Sequence, residues 1–162
     1  MSKPVYDVVV AGAGSSGAVA AIAAARSGAS TLLVDRQGFL GGISTAVLDT
    51  FYAFYTPGND PQKVVAGIPD EVVAGLRAED AAIDRPNTYG AGTGITYDPE
   101  VLKRVWDGLV IDAGVDVLLH SFVIGVQTDG ERMTAKNTRH CVNSISMRFI
   151  KEGKELPEML HL

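Results

Sequence analysis

The stretch that decides the fold is Gly12-Ala13-Gly14-Ser15-Ser16-Gly17. It follows a valine-rich apolar run, Val5–Val10, which predicts a buried parallel strand. The alanine-rich stretch Gly14–Ser27 comes next and predicts a helix, because alanine is the strongest helix former. Gly28 stands where a helix C-cap belongs, and Thr31–Val34 predicts the following strand. Together these features predict a βαβ unit of an α/β, Rossmann-like fold.

The spacing of the glycines is typical of a turn that binds a dinucleotide. Gly12 permits a tight turn, Gly14 lets the backbone approach a pyrophosphate, and Gly17 lets the helix pack closely on the strand. The helix N-terminus offers unpaired N–H groups and a positive dipole end to phosphates. Ser15 and Ser16 add hydroxyl donors. The turn alone does not distinguish FAD from NAD, since both contain the same ADP half.

An acidic residue at the end of the second predicted strand supports the dinucleotide interpretation. Asp35 lies 18 residues after Gly17, at the interval expected for the acid that binds a ribose diol. A carboxylate there would repel a 2′-phosphate, so NADP is disfavoured. Two interpretations of Arg36 stay open: it reaches a phosphate or the adenine, or it is a solvated surface side chain.

The residues after Asp35 carry a resemblance to a known family. The glycine turn, the run Arg36-Gln37-Gly38-Phe39-Leu40-Gly41-Gly42, the segment 97–102 and the segment 113–120 are similar to those of FAD-dependent oxidoreductases. From Asp7 to about Met133 the chain resembles the N-terminal part of the glutathione-reductase-like and fumarate-reductase-like group. The resemblance implies FAD as the cofactor.

It also implies further contacts with FAD. Gly41, Gly42, Ser44 and Thr45 are expected beside the pyrophosphate and the ribityl chain. A helix cap is a second interpretation of Ser44 and Thr45, since capping is the commonest use of such residues, and it is compatible with the first. Val123 is expected to pair with the adenine ring through its backbone N–H and C=O. The pattern identifies no catalytic residue.

The remaining elements are predicted from periodicity and turn residues. Residues 43–55 are expected to form a short helix or irregular structure, and residues 81–94 to be mostly loop. The regular elements expected are a helix over Pro69–Glu79, a helix from Pro99 ending at Gly114, strands over Val115–Leu119 and Phe122–Val126, and a hairpin turn at Asp129-Gly130 with a return strand over Arg132–Ala135.

The pattern degrades after this hairpin. We predict an FAD-binding domain over residues 1–135 and a divergent C-terminal tail over residues 136–162. Members of the resembled group carry an Ala-Thr-Gly motif after the hairpin, where this chain has Thr134-Ala135-Lys136. We therefore expect a truncated or internally deleted form of a longer enzyme.

Composition narrows the classes of partner. The net charge of -5 and the lack of a basic cluster argue against nucleic acid. A single cysteine, Cys141, excludes a disulfide within the chain and a cysteine-based metal site, and no metal is expected. The N-terminus does not resemble a signal peptide, and no apolar run approaches the roughly 20 residues that span a bilayer. These features predict a cytoplasmic protein without a membrane partner.

Three functions follow from the sequence. The first is an FAD-dependent oxidoreductase, or the FAD-binding part of one, that transfers electrons or hydride with an unknown small-molecule substrate. The second is a non-catalytic, truncated dinucleotide-binding module. The third and weakest is an NAD-binding dehydrogenase domain. Apolar surface left uncovered by a missing domain would favour a homo-oligomer.

Overall fold

The computed structural model describes residues 5–47, 50–86, 92–129 and 132–140. Strands and helices alternate along most of this length, as the α/β prediction requires. The elements in chain order are β1 Val8–Ala11, α1 Ser15–Arg26, β2 Thr31–Val34, α2 Ile43–Ala46, β3 Phe51–Tyr52, α3 Ile68–Ala78, β4 Ala82–Arg85, β5 Gly94–Tyr97, α4 Pro99–Asp112, β6 Asp116–Leu118, β7 Ser121–Asp129 and β8 Arg132–His140.

A parallel sheet of order β1-β2-β6 carries the predicted βαβ unit. Val8 of β1 pairs with Thr31 of β2, and Leu33 pairs with Val117 of β6. All four residues of β2 are buried, because the strand lies between two others and beneath helix α1. The predicted order of strand, turn, helix and strand is therefore confirmed, although β1 begins at Val8 rather than Val5.

A second, antiparallel sheet of order β3-β5-β4 corrects one prediction. Residues 81–94 were expected to be mostly loop, yet β4 occupies Ala82–Arg85 and β5 begins at Gly94. The strands are short, and one face of β4 is open to solvent, where Ile83 is 71% exposed. Backbone pairing between strands needs little apolar sequence, so composition gave no signal for this sheet.

Helices α3 and α4 contribute Val72, Leu76, Leu102 and Trp106 to the core. The predicted start of α4 is confirmed: Asp98 caps it by accepting hydrogen bonds from the backbone N–H groups of Glu100 (2.8 Å) and Val101 (3.3 Å). Helix α4 contacts α1, α2 and α3, and it buries Trp106 among them. Helix α4 therefore packs directly behind the segment that contains the second glycine pair.

The hairpin of β7 and β8 is also confirmed, with Asp129 opposite Arg132. Gly130, the second residue of the predicted turn, lies outside the described residues. Strand β8 continues to His140, five residues beyond its predicted end and into the predicted tail. Its backbone pairing with β7 explains why no side-chain period marks those five residues. Residues 141–162 of the tail lie outside the described part of the chain.

Polar contacts fasten these elements at the surface. Arg26 at the end of α1 forms a two-pronged ion pair with Glu71 in the first turn of α3, at 2.6 and 2.7 Å. The Arg26 guanidinium holds the pKa of the Glu71 carboxyl below its usual value. The Tyr6 hydroxyl donates to Asp116 at 2.8 Å. Burial, together with this bond, raises the pKa of Tyr6 to about 12.

None of the helices in the described residues is long and apolar enough to cross a membrane.

Candidate cofactor site

The glycine turn joins β1 to α1 at the carboxyl edge of the parallel sheet. The backbone N–H of Gly12 donates to the carbonyl of Val34 at 2.7 Å, which fastens the turn to β2. Gly14 is the N-cap residue of α1, and no side chain caps this helix. No side chain therefore competes with a ligand for the first-turn N–H groups of α1, as anion binding at a helix N-terminus requires.

The glycine at position 17 is required by a close approach. A Cβ on Gly17 would overlap the carbonyl oxygen of Gly12, so any larger residue would push α1 away from the turn. This agrees with the packing role that the sequence predicts for Gly17. Around Gly14, in contrast, a Cβ would meet no atom within 4 Å. The space beside Gly14 is therefore open, as the predicted approach of a pyrophosphate requires.

The second glycine pair docks against this turn. Gly41 donates its backbone N–H to the carbonyl of Ala13 at 2.8 Å. A Cβ on Gly42 would lie 2.8 Å from the Cα of Gly14, which leaves room there for hydrogen alone. Two glycine segments that are distant in sequence thus form one surface at the N-terminus of α1.

Asp35 follows β2 and holds the same edge together. Its carboxylate accepts the backbone N–H of Ala13 through Oδ2 and that of Gln37 through Oδ1, the latter at 2.7 Å. Its own backbone binds Leu118 and Ser121, at 3.0 and 2.8 Å. A carboxylate has about four lone-pair positions, so acceptor capacity remains for a ribose diol.

A cavity of about 620 Å³ opens at this edge. Five of the residues predicted to bind the cofactor line it: Gly12, Asp35, Arg36, Gly42 and Val123. The other lining residues are Ala11, Val34, Gln37, Ile43, Ala46, Val47 and Ser121. Arg36 is exposed, so its two interpretations both remain predictions. Val123, half-buried on β7, keeps its predicted adenine contact as an expectation.

The hydroxyl residues differ in where they lie. Ser15 and Ser44 bring their Oγ atoms to 3.0 Å from each other, and Ser16 is exposed. Thr45 is buried, and its hydroxyl donates to the carbonyl of Leu40 at 2.6 Å, with the carbonyl of Gly42 at 3.2 Å. Gly42 is the N-cap residue of α2 and no side chain caps this helix, so the capping alternative for Ser44 and Thr45 is wrong.

Two residues at this site were not among those predicted to bind the cofactor. Ser121 is buried and fastens β7 to Asp35 through its backbone. The Tyr52 hydroxyl lies 3.4 Å from Ser15 Oγ, although Tyr52 belongs to the antiparallel sheet. The aromatic cluster 51–55 was the available signal, but which ring reaches the turn depends on the pairing of β3 with β5.

A second cavity, of about 870 Å³, lies between α3 and the antiparallel sheet. The residues that line it include two ion pairs, Lys63 with Asp70 and Arg77 with Asp84. The apolar residues Phe54, Val73 and Ile95 line it as well. This cavity shares no lining residue with the first.

Comparison with known proteins assigns the class. The family model described as FAD dependent oxidoreductase matches residues 7–147, most of the chain. The chain therefore belongs to the FAD-dependent oxidoreductase family, and FAD is its cofactor. The open, uncapped N-terminus of α1, with glycines on both sides and a carboxylate beside it, fits that cofactor.

Three relatives illustrate the similarity. Mitochondrial dihydrolipoyl dehydrogenase of Schizosaccharomyces pombe is 28% identical over 121 residues, which are 60% of this chain and 24% of that protein. The geranylgeranyl bacteriochlorophyll reductase-like protein of Thermoplasma acidophilum has a TM-score of 0.56 at 21% identity, over 89% of this chain and 37% of that one. The anhydrotetracycline hydroxylase OxyS of Streptomyces rimosus has a TM-score of 0.57 at 18% identity, over 90% and 30%. The two structures support the fold. This chain spans between 24% and 37% of the length of these three relatives.

Proposed function

We propose that this chain is the FAD-binding part of an oxidoreductase, and that FAD lies along the glycine turn and the Gly41–Gly42 pair. The observation that carries this proposal is the docking of Gly42 onto Gly14 beside the uncapped N-terminus of α1. A turn that bound nothing would have no need of a second glycine segment pressed against it.

Each part of the site has a role in this arrangement. The N–H groups of the first turn of α1 bind the pyrophosphate, and Gly14 leaves room for it. Asp35 accepts hydrogen bonds from the ribose hydroxyls with the lone pairs that Ala13 and Gln37 leave free. The backbone of Val123 contacts the adenine, and Arg36 reaches the same end of the cofactor. Gly42 and Ser44 lie towards the flavin side of the pyrophosphate.

The chemistry follows from the cofactor, because the flavin ring accepts and donates electrons or hydride when it is bound. The chain positions the cofactor, and the substrate is a small molecule of unknown class. The coverage of the relatives supports this division, since this chain matches 24%, 37% and 30% of the three relatives.

The discriminating experiment is a thermal shift with FAD, with NAD and without ligand, combined with a visible spectrum. A ligand that binds the native state alone raises the melting temperature by mass action. We expect a yellow protein, flavin release on denaturation, and a larger shift with FAD than with NAD. A colourless protein that FAD does not stabilise would indicate the non-catalytic module instead, and a larger shift with NAD the dehydrogenase domain.

The proposal also includes a homo-oligomer in the cytoplasm. Several large apolar side chains are open to solvent, among them Ile83 at 71% and Ile111 at 68% exposure. Apolar surface of this kind favours association. Light scattering at high concentration is expected to give at least twice the mass of one chain, and a single-chain mass would exclude the oligomer.

A further inference from the structure

Tyr52 connects the antiparallel sheet to the glycine turn. Its hydroxyl lies 3.4 Å from Ser15 Oγ, and Ser15 Oγ lies 3.0 Å from Ser44 Oγ. These three hydroxyls, which we call the hydroxyl cluster, come from β3, α1 and α2. Ser15 is the first residue of α1, so the cluster stands where the helix dipole and the free N–H groups point.

The Tyr52 ring is held in place by its protein neighbours. It stacks on Phe54 with ring centroids 5.1 Å apart, and it packs on Tyr97 at 4.6 Å. The Tyr97 hydroxyl in turn donates to the carbonyl of Ser44 at 3.2 Å. A side chain fixed in this way loses little conformational freedom when its hydroxyl binds a ligand.

The charge balance of the site gives this hydroxyl a purpose. A dinucleotide pyrophosphate carries negative charge. Among the described residues that line the first cavity the cation is Arg36, which follows Asp35, the residue proposed to bind the ribose. The hydroxyl cluster does not line that cavity, and at the N-terminus of α1 its hydroxyls and the backbone N–H groups are available to meet the negative charge. Hydrogen bonds to an ionised acceptor are about twice as strong as neutral ones.

We propose that Tyr52 is a pyrophosphate-binding residue, and that the hydroxyl cluster donates to the phosphate oxygens of the bound dinucleotide. This inference rests on the proposed function. The second sheet then contributes a donor to a site that the glycine turn alone does not complete. Because FAD and ADP share the pyrophosphate, Tyr52 contributes to the binding of both.

The test compares Tyr52→Phe with the wild type in calorimetric titrations of FAD and ADP. Removing one hydroxyl that binds a charged group is expected to raise both dissociation constants about tenfold. Tyr55→Phe is the matched control, since the Tyr55 side chain forms no contact with Ser15 or Ser44 in the described structure, and both constants should stay within twofold of the wild type. An unchanged ADP constant in Tyr52→Phe, or a loss confined to FAD, overturns the proposal.

Ser15→Ala, alone and combined with Tyr52→Phe, measures the coupling between the two hydroxyls in ligand binding. If the two hydroxyls act on one phosphate, the double variant should lose less affinity than the product of the single losses. Strictly multiplicative losses would show that Tyr52 and Ser15 act separately and would contradict a shared cluster.

A variant that fails to fold does not end the test. The wild type and Ser15→Ala are both labelled with fluorotyrosine, and the fluorine resonance that differs between their spectra is assigned to Tyr52. Addition of ADP to the wild type is expected to shift that resonance. No shift at saturating ADP overturns the proposal. If the wild type binds neither FAD nor ADP, the proposed function itself fails, whereas normal wild-type binding with an unaffected Tyr52 removes this inference alone.

Discussion

The carboxylate of Asp35 accepts a hydrogen bond from the backbone N–H of Ala13, so the acid after β2 is bonded to the middle of the glycine turn. The same carboxylate also accepts from the backbone N–H of Gln37 at 2.7 Å. Asp35 therefore has two roles in this account: it fixes the turn, as these bonds show, and we propose that its remaining lone pairs bind a ribose.

This double role predicts the behaviour of Asp35→Asn. The amide replaces one acceptor oxygen with a donor that faces a backbone N–H, so a hydrogen bond to a charged group is lost, at a cost of about 1.5–3 kcal/mol. We expect a melting temperature lower by about 5 °C and an FAD dissociation constant at least tenfold higher. Scanning calorimetry and a flavin titration measure the two effects.

Asp112→Asn is the control for this change. Asp112 is exposed at the C-terminal end of α4, where a negative charge is unfavourable to the helix dipole. Its melting temperature should equal or slightly exceed that of the wild type, and its FAD affinity should match the wild type. If Asp35→Asn behaved like Asp112→Asn, Asp35 would have neither role.

Gly17→Ala should damage the fold itself. The added methyl group overlaps the Gly12 carbonyl oxygen, which is backbone and has little room to move. Overpacking of this kind costs about 1–3 kcal/mol, so urea unfolding should show a lower midpoint and FAD should bind weakly. Gly108→Ala is the matched control: Gly108 lies within α4, a Cβ there meets no atom within 4 Å, and alanine should raise stability by about 0.5–1 kcal/mol. Equal midpoints for the two variants would disprove the close approach at Gly17.

The raised pKa of Tyr6 predicts a specific loss of stability at alkaline pH. Its pKa is about 12 in the folded protein, against about 10 for an unperturbed tyrosine. The folded state therefore keeps a proton that the unfolded state releases, and stability falls as pH rises from 10 through 12. Below pH 10 the stabilisation is fully present.

The measurement compares the wild type with Tyr6→Phe from pH 8 to 12. The variant lacks the hydroxyl bound to Asp116, so it should start less stable and lose less stability over this range. Parallel curves for the two proteins would show that the Tyr6 pKa is not raised by folding.

The parts of the fold that could be predicted are those whose signals are local. A valine run, a glycine turn and an alanine-rich helix each have a clear sequence pattern, and β1, α1 and β2 followed from it. The antiparallel sheet could not be predicted, because β3 has two residues and β4 exposes one of its faces. Its existence depends on pairing between residues such as Tyr52 and Ile95, which are distant in sequence.

The features of the site, like those of the fold, could be predicted where their signals are local in sequence. Glycine spacing and the position of Asp35 indicate where a dinucleotide binds, because these features belong to one continuous βαβ unit. The direction of the Thr45 hydroxyl, which donates to the Leu40 carbonyl, depends instead on how α2 is seated. The reach of Tyr52 to Ser15 depends on two sheets meeting, which no local pattern encodes.

The central claim, that FAD binds on the glycine turn, is tested most directly with Gly14→Ala. The backbone of Gly14, at φ -64° and ψ 174°, suits alanine, and the new Cβ meets no protein atom within 4 Å. The methyl group instead occupies the space assigned to the pyrophosphate. The measurement is an FAD titration of both proteins, with the ligand-free melting temperature of each. We predict stoichiometric binding by the wild type, melting temperatures within about 3 °C of each other, and affinity at least about a hundredfold weaker in the variant. Equal FAD affinity in the two proteins would contradict the claim.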